Sequence, residues 1–240
     1  MRIDGLVNSR VSAAAAAIVV AAVVACSDSV SPIGTAAPGP TVPPDRINSI
    51  FLTSEEVKSI LGPNSGMEIS VPISQGPYTK NLETMVDPNC RSTDSPGLGP
   101  VYEGSGYTAI STEMMVGVEG RRLTQAVAAF PSADLAGAFV ANIAAKWKGC
   151  AGRTIRAQTI PTNSGGTYDE QTFILGDYLG GADAIGLTRT RTDGHYPQCQ
   201  RGLGAEWNVV VDVDVCTAPL DQQGRTIADK MLAKVEVAAS

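Results

Sequence analysis

Five cysteines account for most of the reactive side-chain chemistry in this 240-residue chain. Four of them, Cys90, Cys150, Cys199 and Cys216, follow the first third of the sequence. An even number in an exported chain is typical of disulfides, and four cysteines allow three connectivities. We favour Cys90–Cys150 and Cys199–Cys216, because the second pair closes a short segment whose ends could meet across a hairpin. The chain has no Cys-x-x-Cys motif and a single histidine, so these spacings fit no zinc site.

The fifth cysteine, Cys26, directly follows the apolar run Val11–Ala25. A helix over this run would reach only about 22 Å, short of the roughly 30 Å of a bilayer core. Arg2 and Arg10 supply the positive amino-terminal region of a signal peptide. The segment Val23–Cys26 resembles a bacterial lipobox, in which cleavage before the cysteine frees it for lipid attachment. The pattern therefore predicts a lipidated Cys26.

The predicted signal peptide, residues 1–25, places the rest of the chain outside the cytoplasmic membrane. One acyl chain binds a membrane only marginally, whereas two or more anchor a protein stably. We therefore expect membrane lipid as a partner and a lipid-anchored location on the extracytoplasmic face of the cell membrane. An uncleaved anchor and an alanine-rich core helix are the alternatives. A core helix should show polar residues at helical spacing, and Ser12 is the only polar side chain in the run.

Composition separates a linker from one acidic domain. Residues 26–45 are rich in proline and small residues, which indicates an extended, semi-rigid linker. Loss of residues 1–25 would remove two arginines and one aspartate, so the net charge falls from −6 to −7. An acidic chain without a Lys/Arg cluster argues against nucleic acid as a partner. Residues 46–237 are long enough for one well-buried domain.

Two constellations could support hydrolysis. His195 lies two residues after Asp193, but no Gly-x-Ser-x-Gly motif supplies a nucleophile, and a polar loop histidine is the simpler interpretation. Asp212 and Asp214 alternate with valines on one predicted strand, so they could act as paired glycosidase carboxylates. Alternation of this kind is also routine on the wet face of a sheet, and we expect these two carboxylates to be solvated. We therefore predict no catalytic residues.

Three tyrosines, Tyr102, Tyr107 and Tyr168, could line a ligand cleft, since tyrosine combines apolar area with a polar tip. Each could equally be a core or edge residue. The glycine pairs of the chain lack the spacing of phosphate-binding loops. We expect no cofactor and no metal.

The order of the predicted elements, strands in a run with helices before, between and after them, indicates an α+β fold. It consists of an antiparallel twisted sheet with helices packed on it and two disulfides. A helix is predicted at Leu52–Gly62, with Thr53 or Ser54 as its cap, and another after Ser132 with Leu135, Phe139, Ile143 and Trp147 on one face and Gly149 as its stop. A third is predicted at Leu220–Val235, and residues 87–105 form a loop pinned by a disulfide. The predicted strands are Tyr107–Val118, Arg122–Phe130, Thr154–Thr159, Gln171–Leu179, Ala184–Arg191 and Trp207–Val215.

Several segments in order resemble the extracellular sensor domain of the mycobacterial serine/threonine kinase H, a domain that also occurs without a kinase in lipid-anchored proteins. The segments are Tyr102–Ala109, Gln125–Ala133, Trp147–Cys150, Cys199–Arg201 and Asn208–Cys216. The resemblance covers about residues 46–237. It implies an antiparallel sheet with packed helices, two disulfides and a cleft for an extracellular ligand.

The resemblance and the export signal together favour a membrane-anchored lipoprotein with a ligand-binding, sensor-like domain. The sequence contains neither a kinase domain nor a spanning helix, so we expect binding outside the cell rather than direct signalling. The expected partner is an unidentified extracellular small molecule or envelope component. A cell-envelope hydrolase and a protein-interaction module are the alternatives, and the second of these should present a flat, exposed apolar patch.

Overall fold

A computed structural model describes residues 39–78, 83–159, 169–194 and 198–239. The predicted signal peptide, the lipidation residue Cys26, Tyr168 and His195 lie outside the described residues. The predicted linker is described only from residue 39 onward.

The described residues form one nine-stranded sheet in which every neighbouring pair of strands is antiparallel. Its spatial order is β1-β3-β4-β9-β8-β7-β6-β5-β2. The α+β fold class with an antiparallel sheet is confirmed. The strands are β1 Glu68–Gln75, β2 Glu83–Met85, β3 Ala109–Val116, β4 Arg122–Ala129, β5 Thr154–Thr159, β6 Asp169–Leu179, β7 Ala184–Arg191, β8 Cys199–Glu206 and β9 Val209–Cys216.

Helices cover both faces of the sheet. The helices of the described residues are α1 Ser54–Leu61, α2 Gly99–Tyr102, α3 Ala133–Cys150 and α4 Gln223–Ala239, and a 3₁₀ segment spans Pro44–Ile50. One core layer joins α4 to the sheet through residues such as Met231 and Val211. The other joins α3 to the opposite face through residues such as Trp147 and Val210. Both faces of the central strands are therefore shielded from solvent.

Strand β9 corrects the prediction of a half-solvated strand. All eight of its residues are buried, and Asp212 and Asp214 are only 3% and 2% exposed. The alternation itself is real, because the odd-numbered valines lie in the α4 layer and Val210 lies in the α3 layer. The wet-face assignment of the two aspartates was wrong, since α3 and the segment before α2 cover that face. Trp207 lies in the turn before the strand, with a left-handed φ of 48°.

Strand β8 was not predicted, and its glycines explain why. Gly202 and Gly204 lower its strand propensity, but they face α4. A Cβ on Gly202 would lie 2.2 Å from the carbonyl oxygen of Gly224 in the first turn of α4. A Cβ on Gly204 would lie 2.7 Å from Leu232 Cδ1. The glycines therefore allow the helix to pack closely on the strand.

The helix predictions hold with small shifts. Thr53 caps α1 in a reciprocal capping box with Glu56, and Ser132 caps α3 by accepting from the Leu135 amide. Helix α3 continues through Gly149 to Cys150, so glycine does not end it. Leu135 is 43% exposed, whereas the other three predicted face residues are buried. In the first turn of α3 it is Ala136, and not Leu135, that packs in the core.

Two buried amides fasten the amino-terminal segment to the α4 face of the sheet. Asn208 Oδ1 accepts from the Val42 amide at 2.7 Å, and its Nδ2 donates to the Val42 carbonyl at 3.0 Å. Gln125 makes the same two-way contact with the amide and carbonyl of Leu52 at 3.0 and 3.1 Å. These side-chain hydrogen bonds hold the amino-terminal segment, which is not paired as a strand. Val42, which composition assigns to the linker, therefore packs in the core of the folded domain.

Replacing Asn208 with Ala is expected to lower the free energy of unfolding by about 2–4 kcal/mol, because its bonds to Val42 and Phe130 would be lost inside the core. Urea unfolding measures the change. Asn142→Ala, at an exposed amide of α3, is the matched control and should remain close to wild type. Equal stability of the two variants would contradict the structural role of Asn208.

Candidate functional site

The segment before α2 is held against α3 by covalent and ionic contacts. A disulfide joins Cys90 to Cys150 at the end of α3, and a second joins Cys199 to Cys216 across the end of the β8–β9 pair, so both favoured pairings are confirmed. Arg153 also donates to Asp87 at 2.6 Å. The residues after Cys90 consequently lie in a fixed position over the sheet.

A buried arginine connects this segment to β9. Arg189 of β7 donates to Asp94 Oδ1 at 3.0 Å and to Asp214 Oδ2 at 3.1 Å. All three side chains are less than 5% exposed. The guanidinium also lies 5.1 Å from the centre of the Phe173 ring. Since an isolated buried charge is very unfavourable, each aspartate requires this arginine and the arginine requires both of them.

A second buried pair lies next to the first. Arg201 of β8 forms a salt bridge with Asp212, and its Nη1 donates to the Ser92 carbonyl at 2.9 Å. Trp147 Nε1 donates to the same carbonyl at 3.2 Å, and the Arg201 guanidinium lies 5.5 Å from the Trp147 ring. These contacts fix the backbone at Ser92 and give the tryptophan indole a polar partner.

Gly97 lets the segment before α2, residues 91–98, approach the sheet closely; this stretch is called the covering segment below. Its amide donates to Asp212 Oδ2 at 3.0 Å with φ at +63°. A Cβ there would lie 2.7 Å from Thr112 Cγ2 and 3.0 Å from Ala126 Cβ. Glycine is therefore required both by the left-handed backbone and by the lack of space.

Tyr102 also contacts this network. Its hydroxyl donates to Asp212 Oδ2 at 3.2 Å, and its ring packs 4.6 Å from that of Phe139. Burial, and then the neighbouring Asp212 charge, raises the pKa of Tyr102 well above its ordinary value, so the phenol remains a donor. Burial also raises the pKa of Asp212, a rise opposed by Arg201, the Gly97 amide and the Tyr102 hydroxyl. Tyr102 is thus a core residue that lies beneath the surface.

An open cavity of about 380 Å³ lies between α3 and the segment 88–105. Its apolar wall includes Phe139 and Val101, while Arg91, Lys146 and Glu103 bring charge to it. The lining residues are Pro88, Arg91, Ser92, Pro100, Val101, Glu103, Gly104, Ser105, Leu135, Ala138, Phe139, Asn142 and Lys146. Ligand pockets usually have volumes of about 300–1,000 Å³ and a mixed apolar and polar lining. The cavity has the size of a site for a small ligand, and its lining is more polar than that of most ligand pockets.

Three lining residues contribute buried polar atoms that have no hydrogen-bond partner among the described residues. These atoms are Arg91 Nε, Ser92 Oγ and Ser105 Oγ. Most buried polar side-chain atoms in proteins are hydrogen-bonded, so three unsatisfied ones around one cavity are unusual. Each of them has almost no accessible surface, so they lie just behind the surface of the cavity.

The predicted site residues are not gathered at this cavity. Tyr102 lies behind it, and Tyr107 contacts the Tyr102 ring edge-on at 6.1 Å. Sequence reasoning did not identify Arg91 or Lys146, which are 55 positions apart and carry no motif. The one available signal was the prediction of a loop pinned at Cys90, since Arg91 and Ser92 follow that cysteine directly.

The arrangement does not fit the glycosidase hypothesis for Asp212 and Asp214. Each carboxylate is buried and paired with an arginine, and neither lines the cavity. Among the described residues, one group brings potential metal-ligand atoms together, namely Cys199, Asp214 and Cys216. Its two sulfurs are bonded to each other, so they offer no thiolates. No helix in the described part of the chain is long and apolar enough to cross a membrane.

Comparison with known proteins gives one consistent match. The family model described as "PknH-like extracellular domain" matches residues 42–234. The serine/threonine-protein kinases PknH of Mycobacterium bovis and Mycobacterium tuberculosis are each 36% identical over 210 residues, which is 82% of this chain. The chain spans about a third of the length of these relatives, 33% and 31% respectively.

A solved structure agrees with the sequence match. The crystal structure of the extracellular domain of PknH from Mycobacterium tuberculosis superimposes with a TM-score of 0.73 at 32% identity. The alignment covers 82% of this chain and 98% of that domain. The similarity therefore extends over the entire extracellular domain of that structure.

The buried network gives a stability prediction. Arg189→Met should lower the free energy of unfolding by about 3–5 kcal/mol, because Asp94 and Asp214 would lose the guanidinium that contacts both of them, and the remaining cation near Asp214, Arg122, lies 4.0 Å away. The matched control is Arg156→Met, which removes an exposed salt bridge to Glu170 and should cost less than about 1 kcal/mol. Chemical unfolding of both variants provides the comparison, and similar losses would contradict the importance of burial.

Proposed function

Because the chain belongs to the family of PknH-like extracellular domains, we propose that it is a lipid-anchored, extracytoplasmic binding protein with a sensor-like domain. In this proposal Cys26 holds the membrane lipid, and the residues before Val42 tether the domain. The ligand, a small molecule or envelope component, occupies the cavity between α3 and the segment 88–105. The protein acts by binding and not by catalysis.

The unsatisfied polar atoms in the cavity are the observation that supports this function. Arg91 Nε, Ser92 Oγ and Ser105 Oγ belong to residues that line the cavity but have almost no accessible surface, so a rotation of the serine side chains would bring their hydroxyls to a ligand. A site of this kind gains specificity, because a ligand without matching polar groups leaves them desolvated and unpaired. The aspartates that would support hydrolysis are instead held in arginine pairs, which favours binding over the hydrolase alternative.

The geometry also favours a stable site. Ser92 lies between two fixed points, since Cys90 is bonded to α3 and the Ser92 carbonyl accepts from both Arg201 and Trp147. The opposite wall is α3 itself. A preorganised site loses less conformational entropy when a ligand binds. The disulfide and the buried pairs thus contribute to affinity through the rigidity of the walls.

A protein-interaction role is the second candidate, favoured by edge strand β1. All eight of its residues are exposed, and Ile69, Val71 and Ile73 are 51%, 42% and 37% exposed. Exposed apolar side chains in a row are typical of contact surfaces. Pro72 lacks the amide needed to extend the sheet, so a partner would contact these side chains rather than add a strand.

The anchor is tested by replacing Cys26 with Ala. We expect the protein to move from the detergent phase to the aqueous phase in a two-phase partition of whole-cell extract, since the thiol that accepts the lipid is gone. Cys26→Ser serves as a second variant that keeps the polarity of the thiol. Detergent-phase partitioning unchanged in both variants would contradict lipidation at this residue.

The cavity is tested with a blocking substitution. Ala138→Trp places a large ring over the cavity from an exposed position of α3, and we expect it to abolish recovery of the small molecules that mass spectrometry finds with the wild-type domain purified from native envelope. Ala141→Trp, on an exposed position of the same helix outside the cavity lining, is the matched control and should retain them. Equal recovery from the two variants would place the binding site elsewhere.

A further inference from the structure

We infer that the ligand of this cavity is an anionic sugar-sized molecule whose carboxylate or phosphate group is bound between Arg91 and Lys146. The inference rests on the proposed binding function and specifies the chemical class of its ligand. It depends on three features of the cavity: its unpaired cations, its polar atoms and its size.

The cations of the cavity are available for a ligand. Among the described residues, neither Arg91 nor Lys146 takes part in a salt bridge, whereas Arg153 and Arg189 nearby each hold a carboxylate. Glu103 is the only acid in the cavity lining, so the lining has a net positive charge in a chain whose net charge is −6. Arginine binds carboxylates and phosphates through two parallel N–H donors, and lysine adds a point charge.

The cations approach the cavity from opposite walls. Arg91 follows disulfide-bonded Cys90, and Lys146 lies on the cavity side of α3, four residues after Asn142. The Cys90–Cys150 disulfide joins these walls and holds their backbones together, while the long side chains of Arg91 and Lys146 can adjust to an anion between them.

The remaining lining suits a hydroxylated ring. Asn142 offers an exposed amide, and rotation of Ser92 and Ser105 would add their unsatisfied hydroxyls. Val101 and Leu135, the latter 43% exposed, supply apolar surface on which the C–H face of a sugar can lie. At about 380 Å³ the cavity lies near the lower end of the usual range for ligand pockets, which favours a small molecule over a long polymer segment.

The test is titration of the isotopically labelled domain, residues 42–240, which packs as one unit, followed by NMR. The probes are D-glucuronate, D-glucose 6-phosphate and neutral D-glucose, which share one ring and differ in the anion. We expect saturable shifts at Gly104, Ser105 and Ala138 with at least one anionic probe, at a Kd below about 1 mM. D-glucose should bind at least about tenfold more weakly. Comparison of the two anionic probes distinguishes a carboxylate ligand from a phosphate ligand.

Charge variants test whether Arg91 and Lys146 cause the preference for the anionic probes. Lys146→Gln and Arg91→Gln should each weaken the anionic probe about tenfold or more and leave D-glucose unchanged. Lys148→Gln makes the same charge change on the other side of α3, outside the lining, and should bind as wild type does. Glu103→Gln should strengthen binding by about threefold, since it removes a like charge. Thermal unfolding confirms that each variant is folded, and Lys146, being exposed, offers the safer substitution.

The outcomes separate this inference from the function on which it rests. Equal binding of D-glucose and the anionic probes at Gly104 and Ser105 would overturn the inference while retaining a binding cavity. Equal loss in the Lys146→Gln and Lys148→Gln variants would overturn it as well. Absence of saturable shifts with all three probes would overturn the inference, and recovery of native small molecules with Ala138→Trp would in addition place the binding site outside this cavity.

Discussion

The structure depends on neutralising two aspartates inside the sheet. Asp212 and Asp214 lie on a central strand whose two faces are covered, and a carboxylate in such a place is stable only with a cation beside it. The required cations come from β8 and β7, as Arg201 and Arg189, so three adjacent strands must keep their register for both pairs to form. The charge pairs therefore specify which strands are neighbours, a role for which a purely apolar core would offer less selectivity.

Neutralising these charges also determines where the covering segment lies. Asp94 completes the coordination of Arg189, the Gly97 amide bonds to Asp212, and the Ser92 carbonyl accepts from Arg201. A segment with these three contacts cannot shift along the sheet without leaving a buried charge unsatisfied. Because the same segment forms one wall of the cavity, the electrostatics of the core set the shape of the site, and the Cys90–Cys150 disulfide fixes its distance from α3.

Sequence patterns predicted the parts of this structure that depend on residues close to one another in the chain. The alternation in β9, the caps of α1 and α3 and the short-range Cys199–Cys216 disulfide follow from spacing along the chain, and Cys90–Cys150 is then the remaining pair. The burial of Asp212 could not be predicted in this way, because its solvation depends on partners that precede it by 11 to 115 positions. Strand β8 was missed for a related reason, since Gly202 contributes through its contact with α4 and not through strand propensity.

The residues of the candidate site were still harder to predict, because they also depend on contacts between distant parts of the chain. The sequence left the tyrosines as candidates for either the cleft or the core, and Tyr102 lies in the core, where it donates its hydroxyl to Asp212. No sequence pattern singled out the arginines, yet Arg189 and Arg201 pair with buried carboxylates and Arg91 lies beside a cavity. Arg91 and Arg225 are both partly buried, and neither takes part in a salt bridge among the described residues. Arg91 differs from Arg225 because it lines the cavity, and that position is what favours an anion from outside the chain.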